Sequence, residues 1–579
     1  MQPKRQSLVQ LAILLAILVL ANVVASKIYT RFDLTKEKRF TLTQPTRDML
    51  RNLDDVVYVK VYLEGEFPAG FKRLRNSTLE MLNAFKAYSD TEIQYEFINP
   101  MASPDQKERE AIAKQLMDKG LEPTRLVENQ EGYSEKIIFP GALISYKGRE
   151  MPVMLLQQQA DKGPQETLNT SIALLEYNLA NTISKLKREH RPALALIEGN
   201  GELPADAMQD MVATLSRYFL VDRFDLSSSS CIDNKKYDAI IVAKPTQKFE
   251  ESQKYKIDQF VMNGGKVLWL IENMRSEMDS LKRGSFVALD YGLNLEDQLF
   301  KYGVRVNFNN LKDLQCEQIP ITVGTDQYGN ARQMKLFPWM YFPVITNNNN
   351  NHPLSKNLDA VLLRFAATID TIPSKDAKIK KTILLSSSKY SKTIATPVKI
   401  DVAEVRIPPK PEEYSNGDQA VAVALEGEFP SVFKNRLAFA DQQALETAPD
   451  CQKFKDLSKP TRMVVVSDGD IIRNDFDLET RKPSPLGFYK YTKSNYANRD
   501  FLLNAVEWLT DETGVIAARS KDIKLRLLDE QKVKSERLMW QLVNVVLPIL
   551  LIVVFGFAYN FWRNKRYGKI VSAIFAKKW

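Results

Sequence analysis

Two runs without a charged residue, one at each end of the chain, limit what it can fold into more than any other feature. Residues 6–26 hold no Asp, Glu, Lys or Arg, and their middle reads Leu11-Ala12-Ile13-Leu14-Leu15-Ala16-Ile17-Leu18-Val19-Leu20. That is about the ~20 residues a helix needs to cross a bilayer. Residues 538–562, bounded by Arg537 and Arg563, are equally free of charge, with Trp540, Tyr559, Phe561 and Trp562 at the margins. Amphipathic rings favour that interfacial position. Pro548 lies inside the second run, where it can kink a helix without breaking it.

The flanks orient these runs, because short basic segments stay on the cytoplasmic side. Lys4 and Arg5 precede the first run. Arg563, Lys565, Arg566, Lys569, Lys577 and Lys578 come after the second with no acid among them. Both termini are therefore expected in the cytoplasm, with the central residues on the far side of the membrane. The alternative for the first run is a cleaved signal peptide, with Val23-Val24-Ala25 as processing site; it too exports the centre. The net charge of +9 is mostly topological: two charges lie before the first run and six after the second, leaving +1 for residues 27–537. A nearly neutral body of this kind argues against nucleic acid as a partner, whatever the overall pI.

Metal and thiol chemistry find little footing. The cysteines, Cys231, Cys316 and Cys451, are far apart in sequence and none forms C-x-x-C, so a disulfide scaffold is not expected. His190 and His352 are isolated, and no zinc-binding spacing occurs. No metal and no cofactor is expected.

After the first run, residues 56–63 are rich in β-formers and end at Gly65 and Pro68, a strand entering a helix. Phe71, Leu74, Thr78, Met81, Leu82 and Phe85 share one helical face, and Ile93, Tyr95 and Phe97 alternate with polar residues as a half-buried strand does. A helix to Gly120 and a hairpin over 137–156, turning at Lys147-Gly148, complete a β-α-β-α-β-β order, that of a thioredoxin-like domain. No cysteine precedes Cys231, so such a domain is redox-dead. From Leu168 to Leu186 the apolar positions keep a helical period, and Pro192 ends it. Continuous apolar strands at 193–197, 237–242 and 267–271 alternate with helices, one of them opened by Pro204 and reaching Phe219 and another stopping at Gly264-Gly265. This predicts a parallel sheet covered on both faces. Residues 276–450 are less legible and include the polar tract 347–351 and the proline-rich 408–411, both read as loops. The strand pattern returns at 463–467, and 501–509 reads as a closing helix.

The fold class expected is α/β, with the head and first span at 1–28, a thioredoxin-like domain at 29–165, a linker helix at 166–190, and an α/β domain at 191–515 with an insertion around 276–450. A juxtamembrane helix at 516–537, the second span at 538–562 and a basic tail at 563–579 complete the chain. One hexapeptide recurs, Leu-Glu-Gly-Glu-Phe-Pro at 63–68 and 425–430, each copy succeeded by a nearby Phe-Lys. A strand-to-helix turn used twice accounts for it; a shared contact surface is the alternative.

At the carboxyl ends of parallel strands, loops surround the crevice where α/β proteins bind ligands. Two such loops carry acids, Glu202 beside Asn200 and Asp468 with Asp470, which makes these four the candidate ligand-binding residues, against a plain role as turn residues. No catalytic set accompanies them. A G-x-S-x-G elbow is absent, and Gly264-Gly265-Lys266-Val267 lacks both the upstream glycine and the Ser/Thr of a phosphate loop. The chain is expected not to be an enzyme and to need an ATPase elsewhere.

A series of short segments adds a resemblance over nearly the whole chain: Arg-Phe-Asp-Leu-Thr at 31–35 with Lys-Arg-Phe at 38–40, Phe-Ile-Asn-Pro at 97–100, the loop 199–202, Tyr-Gly-Val-Arg-Val at 302–306, and Pro338-Trp339 with Pro343. It continues through Ser-Asp-Gly-Asp at 467–470, Asn-Arg-Asp-Phe at 498–501 with Asn504, and Arg-Leu-Leu at 526–528. In this order the chain resembles the auxiliary, substrate-binding-like subunit of the gliding-motility-associated ABC transporter family of Bacteroidetes. The resemblance implies an extracytoplasmic partner of a polytopic permease and, through it, of a cytoplasmic ABC ATPase. It also implies a middle domain similar to glutamine-amidotransferase-like folds without their catalytic apparatus. Relatives often carry Gly-His-Gly-Glu at the first loop, where this chain has Asn200, which weakens a metal or acid–base role there. Two functions are the resulting expectations: a scaffold or gate in the transporter complex, or a subunit that binds a solute or glycan in the α/β crevice. Membrane lipid and the permease are the expected partners within the bilayer, with Asn544 and Gly556 as candidate contacts, since polar and small residues favour helix association in lipid. A homodimer within the complex is the remaining partner expectation.

The basic flanks generate a direct test. After permeabilisation of the outer membrane, E150C should react with a membrane-impermeant maleimide and K578C should not; labelling of both, or of neither, overturns the two-span topology.

Overall fold

The computed structural model describes residues 12–20, 22, 41–128, 134–157, 163–228, 231–281, 284–325, 332–349, 351–373, 378–436, 451–477, 480, 482–520 and 530–575. They belong to two compact units, Met1–Asp522 and Ile523–Trp579. Of the first apolar run, residues 12–20 and 22 are helical and exposed; its remainder, segments 31–35, 38–40 and 526–528, and Lys577 and Lys578 lie outside the described residues.

The first unit opens with α1 (Gln44–Arg51), β1 (Val57–Val61), α2 (Ala69–Tyr88), β2 (Ile93–Phe97) and α3 (Gln106–Asp118). The hairpin β3 (Thr124–Glu128) and β4 (Ser134–Ile138) comes next, then β5 (Gly141–Tyr146), β6 (Arg149–Met154) and the long α4 (Pro164–Lys187). Strands run in the order β2-β1-β5-β6, with β1 parallel to β2 and antiparallel to β5, and β5 antiparallel to β6. As the centre of this sheet, β1 buries Val57, Val59 and Val61 completely, and α2 covers it with Leu74, Leu82 and Phe85. The turn at Lys147-Gly148 has φ of 49° and 73°, the double positive φ of a type I′ hairpin. The expected hairpin over 137–156 is thus 141–154. The β3–β4 pair went unread because its strands are short and polar.

Helix α4 bridges this sheet and the α/β layer. It ends at Lys187, with Arg188 as its cap, before Pro192, and packs on α2 and β6. Beyond it come β7 (Ala193–Glu198), α5 (Gln209–Ser216), β8 (Leu220–Asp225), β9 (Ala239–Ala243), α6 (Glu251–Met262) and β10 (Lys266–Leu270). Pro204 leads into a 3-10 turn, Ala205–Met208, rather than directly into a helix. The insertion holds α7 (Glu296–Tyr302), β11 (Cys316–Thr325), β12 (Arg332–Ile345), β13 (Asn347–Asn348), β14 (Ile379–Ser386) and β15 (Ala420–Gly427), and the chain returns through β16 (Thr461–Val466) and α8 (Asn498–Thr510).

One eight-stranded sheet runs β13-β14-β15-β16-β10-β9-β7-β8. Five strands, β16 to β8, are parallel; β15 is antiparallel to β16, and β14 and β13 add further antiparallel pairs. The all-parallel expectation is corrected here: the insertion enters the sheet edge as meandering strands, and the first two residues of the tract 347–351 form β13 while Asn349 and Asn351 stay outside any strand. Both faces are nonetheless covered, which explains the continuous apolar strands. Leu194, Leu196, Ile241, Leu268, Leu270 and Val464 face one core with Met211, Phe501, Val506 and Trp508; Ile197, Ile240, Trp269 and Val465 face another with Ile257, Phe260 and Tyr302. Each fully buried Val, Leu or Ile contributes about 1.5–3 kcal/mol.

The repeated hexapeptide has a local cause. Gly65 and Gly427 take nearly the same φ, 136° and 141°, a region closed to residues with a Cβ, and each turns the chain out of a strand.

In the second unit, α9 (Glu530–Phe575) is one continuous helix with Pro548 inside it. Its part Ser535–Lys565 is long and apolar enough to cross a membrane.

The cysteines hold one pairing that their sequence spacing did not reveal. Cys231 and Cys451, 220 residues apart, form a disulfide with Cα atoms 5.0 Å apart, and Cys316 is free. Sequence distance concealed the pair because the insertion separates them. Mass spectrometry of protein alkylated without reduction should find one modified thiol, on Cys316. C231S should lower stability by about 2–5 kcal/mol in denaturant unfolding, as loss of a long-loop disulfide does; three modified thiols, or an unchanged midpoint, would contradict the pairing.

Candidate functional site

The carboxyl ends of three adjacent parallel strands bring charge into the protein interior. Lys244 succeeds β9, Glu272 closely succeeds β10, and Asp468 and Asp470 lie just after β16; all are buried. The Lys244 Nζ stands 2.6 Å from Asp470 Oδ2 and 2.9 Å from Glu272 Oε2. The Arg473 Nε lies 2.9 Å from Asp470 Oδ1. Lys244 takes φ 51°, which costs a residue with a Cβ about 1–2 kcal/mol. Gly469 passes close over it: a Cβ there would stand 2.5 Å from the Cβ of Lys244.

Asp468 works as a double cap. Its Oδ2 accepts from the Arg364 amide and its Oδ1 from the Asp470 amide, both at 2.7 Å. The Arg364 guanidinium in turn reaches Asp475 at 2.7 Å. This ties the loop after β16 to the insertion segment around residue 364. The cavity beside it, lined in part by Arg364, Arg473 and Asp475, offers ≈ 10 Å³ to the centre of a water molecule, about the least that holds one water.

Environment splits the acids. Burial pushes Glu272 well above the usual carboxyl range against the pull of Lys244. Burial and the neighbouring Asp470 push Asp468 up to about 7, although two amides lower it. Asp470 also suffers burial, yet Lys244 and Arg473 hold it below its ordinary value. Lys244 is raised despite burial, by Glu272 and Asp470. Glu272, Asp468 and Asp470 offer ligand atoms within 4.8 Å of one another, the spacing of a metal site. The cation among them is the Lys244 ammonium, so the donor set does not fit a metal ion without expelling it.

The first candidate loop lies elsewhere along the sheet edge. Asn200 and Glu202 come after β7, with β9 and β10 between them and β16, roughly 14 Å at the usual strand spacing. The Asn200 Nδ2 donates to Lys248 O at 3.1 Å and Gln253 Oε1 at 2.8 Å, and Glu202 Oε2 accepts from the Asn200 amide at 2.8 Å. Asn200 Oδ1 and Glu202 Oε1 are buried without a hydrogen-bond partner among the described residues, and burial raises Glu202. The four expected residues therefore form two separate places. Lys244 and Glu272 were missed in the sequence, although a charged residue just after a continuous apolar strand was a usable signal. His352 packs against the Trp508 ring, and burial pushes it down to about 4, so it is neutral.

Residues 191–505 match a family described as an ABC-type uncharacterized transport system. Residues 36–145 match one described as a domain of unknown function. A protein of Borreliella burgdorferi, described as uncharacterized, is 22% identical over 440 residues, covering 75% of this chain and 80% of its own length. Among solved structures, the mmIFT52 N-terminal domain matches over 57% of this chain and all of its own length, at 12% identity and a TM-score of 0.30, a likeness that carries no weight for fold or function.

The Lys244 centre generates a stability prediction. K244M leaves Asp470 buried without its nearest cation and should cost about 3–5 kcal/mol. Asp470 sits below its unfolded value of 3.8 because of Lys244, so its stabilisation is present above that pH and lost on acidification. The melting deficit of K244M should thus be larger at pH 7.5 than at about pH 2.5, below the unfolded value; a deficit independent of pH would contradict the charge account. Asp468 acts with the opposite sign, its cost building from about pH 4 to about pH 7.

Proposed function

We propose, from the premise that this chain belongs to the family described as an ABC-type uncharacterized transport system and is an auxiliary component of such a system, that it is the membrane-anchored extracytoplasmic subunit of the complex. It acts as a scaffold or gate beside a separate permease and ATPase. In this reading both termini are cytoplasmic, two spans cross the inner membrane, and the body lies in the periplasm. The gliding-motility-associated branch of Bacteroidetes is the finer assignment and rests on the ordered segments in the sequence. The strand order β2-β1-β5-β6 supports a thioredoxin-like N-terminal domain at 29–165. The five parallel strands support an amidotransferase-like domain at 191–515 with its insertion around 276–450, the linker helix lying between the two at 166–190.

The observation that carries the reading is the Cys231–Cys451 disulfide in a chain that also holds a helix of membrane-spanning length. Disulfides persist in oxidising compartments and are rare in the cytosol. Energy must come from another polypeptide, because the sequence has no phosphate-binding loop.

Two spans are too few to enclose a path, so the spans are proposed to pack against the permease. Asn544 is exposed on α9, and among the described residues nothing lies within 4 Å of a Cβ built at Gly556. Twelve residues apart, they point about 120° from one another. They therefore belong to two helix faces, and Asn544, the polar one, is the stronger contact.

A second reading, a solute or glycan held at the strand ends, is favoured by Asn200 Oδ1 and Glu202 Oε1, two buried acceptors that hydroxyl donors would satisfy. Asp468 and Asp470 enter it only as supports, being committed to backbone amides and Lys244.

Moving residues 27–537 onto an unrelated pair of spans should reduce co-purification with the permease at least several-fold while the body keeps its melting temperature. Full co-purification and full transport activity on the foreign anchors would reduce the native spans to tethers.

A further inference from the structure

A second cavity of the first unit lies away from the strand ends, between α7 with residues 305–308 on one side and the turn 431–436 on the other. It offers ≈ 540 Å³, within the usual 300–1,000 Å³ of small-molecule sites. Phe300 and Phe308 are 52% and 37% exposed and both line it. Single exposed apolar residues are ordinary; two aromatic rings facing one concavity provide a surface for an apolar body.

The walls are fixed independently of any ligand, and by the same groups. Asp258 of α6, fully buried, accepts from Tyr302 Oη at 2.9 Å on one wall. On the other wall it accepts from Ser431 Oγ at 2.6 Å and the Val432 amide at 3.1 Å. Asp297 makes a second latch, 2.8 Å from Lys254 Nζ and 2.6 Å from Arg436 Nη1. A cavity whose two sides hang on shared carboxylates is pre-organised, which lowers the ordering cost of binding.

Charge at the rim is uneven. Arg305 is committed to Asp370 and Arg436 to Asp297, each at 2.6 Å. Lys434 approaches Asp456 only to 3.8 Å, and Lys301, exposed, has no ion pair among the described residues. Glu296 is the one rim acid besides the neutralised Asp297. With Lys434 facing Asp456, Lys301 is the rim cation that has no ion pair among the described residues, and it lines the cavity together with the two aromatic rings.

We propose that this cavity binds a small amphiphilic monoanion, an aromatic or short acyl body bearing one acidic group, with the body against Phe300 and Phe308 and the acid on Lys301. The site stands independently of the transporter reading and shares no residue with the strand-end loops.

The test uses the full chain in phosphatidylcholine nanodiscs, with empty nanodiscs as blank. Fluorine NMR would monitor 4-(trifluoromethyl)phenylacetate, its uncharged amide, and displacement by decanoate. Saturable one-to-one binding of the acid above the blank is expected, with the amide bound at least about tenfold more weakly, as loss of a charged hydrogen bond implies. K301E and F308A should each weaken binding about tenfold or more at unchanged melting temperature; K301Q replaces K301E should the latter melt lower. Displacement by decanoate assigns the site to acyl anions, and its absence to aromatic ones. No saturable binding, an amide equal to the acid, or less than about threefold weakening by either variant overturns the proposal.

Discussion

One buried ammonium organises the carboxyl edge of the central sheet. Lys244 leaves β9 in a left-handed conformation and meets the acids just beyond β10 and β16, so three strands distant in sequence end on a single charge. Burying such ions costs several kcal/mol each, and their attraction roughly returns it, so the net stability of the group is small. Its effect is positional. No rearranged register of β9, β10 and β16 would let Lys244 find both partners, and every alternative would strand a charge in the apolar interior. The same cluster fastens the insertion, because Asp468 commits one oxygen to the Arg364 amide.

The pattern recurs. Asp258 joins the helix after residue 295 to the turn at 431–436. Glu507 of α8 accepts from Tyr177, Asn181 and Lys185 of α4, which fixes the long helix between the N-terminal sheet and the α/β layer. In each case one buried carboxylate joins segments far apart in the chain. Apolar packing is non-directional and would leave the relative placement of these segments loose; a carboxylate with several good acceptor directions specifies it.

Local features were the ones legible in the sequence. β1 and β2, α2, and β7, β9, β10 and β16 each carry their period or their continuous apolar run, because burial on one face or two writes itself directly into residue order. The strand-end loops were found for the same reason. Their partners were not: a single Lys244 or Glu272 after an apolar strand looks like any solvated turn charge until the sheet order sets them side by side. The disulfide was hidden by 220 intervening residues. The insertion was obscure because its strands pair with neighbours that periodicity cannot name, and β13 is built from asparagines, whose usual place is a turn.

These anchors bear on whether the body serves as scaffold or gate. A gate requires an element with two arrangements of similar free energy, biased by a ligand or by the ATPase cycle. Within the first unit, separating α7 from the 431–436 turn means unpairing Asp258 and Asp297. Separating α4 from α8 means unpairing Glu507, and moving the insertion at residue 364 means uncapping Asp468. Breaking a buried one of these costs on the order of 3–5 kcal/mol, whereas the partly exposed Asp297–Arg436 pair costs less than about 1 kcal/mol. Shifting a two-state equilibrium from 1:99 to 99:1 already takes about 5.5 kcal/mol of differential binding, so a motion that broke two buried latches would need most of a strong ligand's affinity. A body built this way favours the scaffold half of the proposal, a rigid surface that holds partners in register. Any ligand in the Phe300–Phe308 cavity would then act by changing what that surface offers to a partner, not by opening the fold.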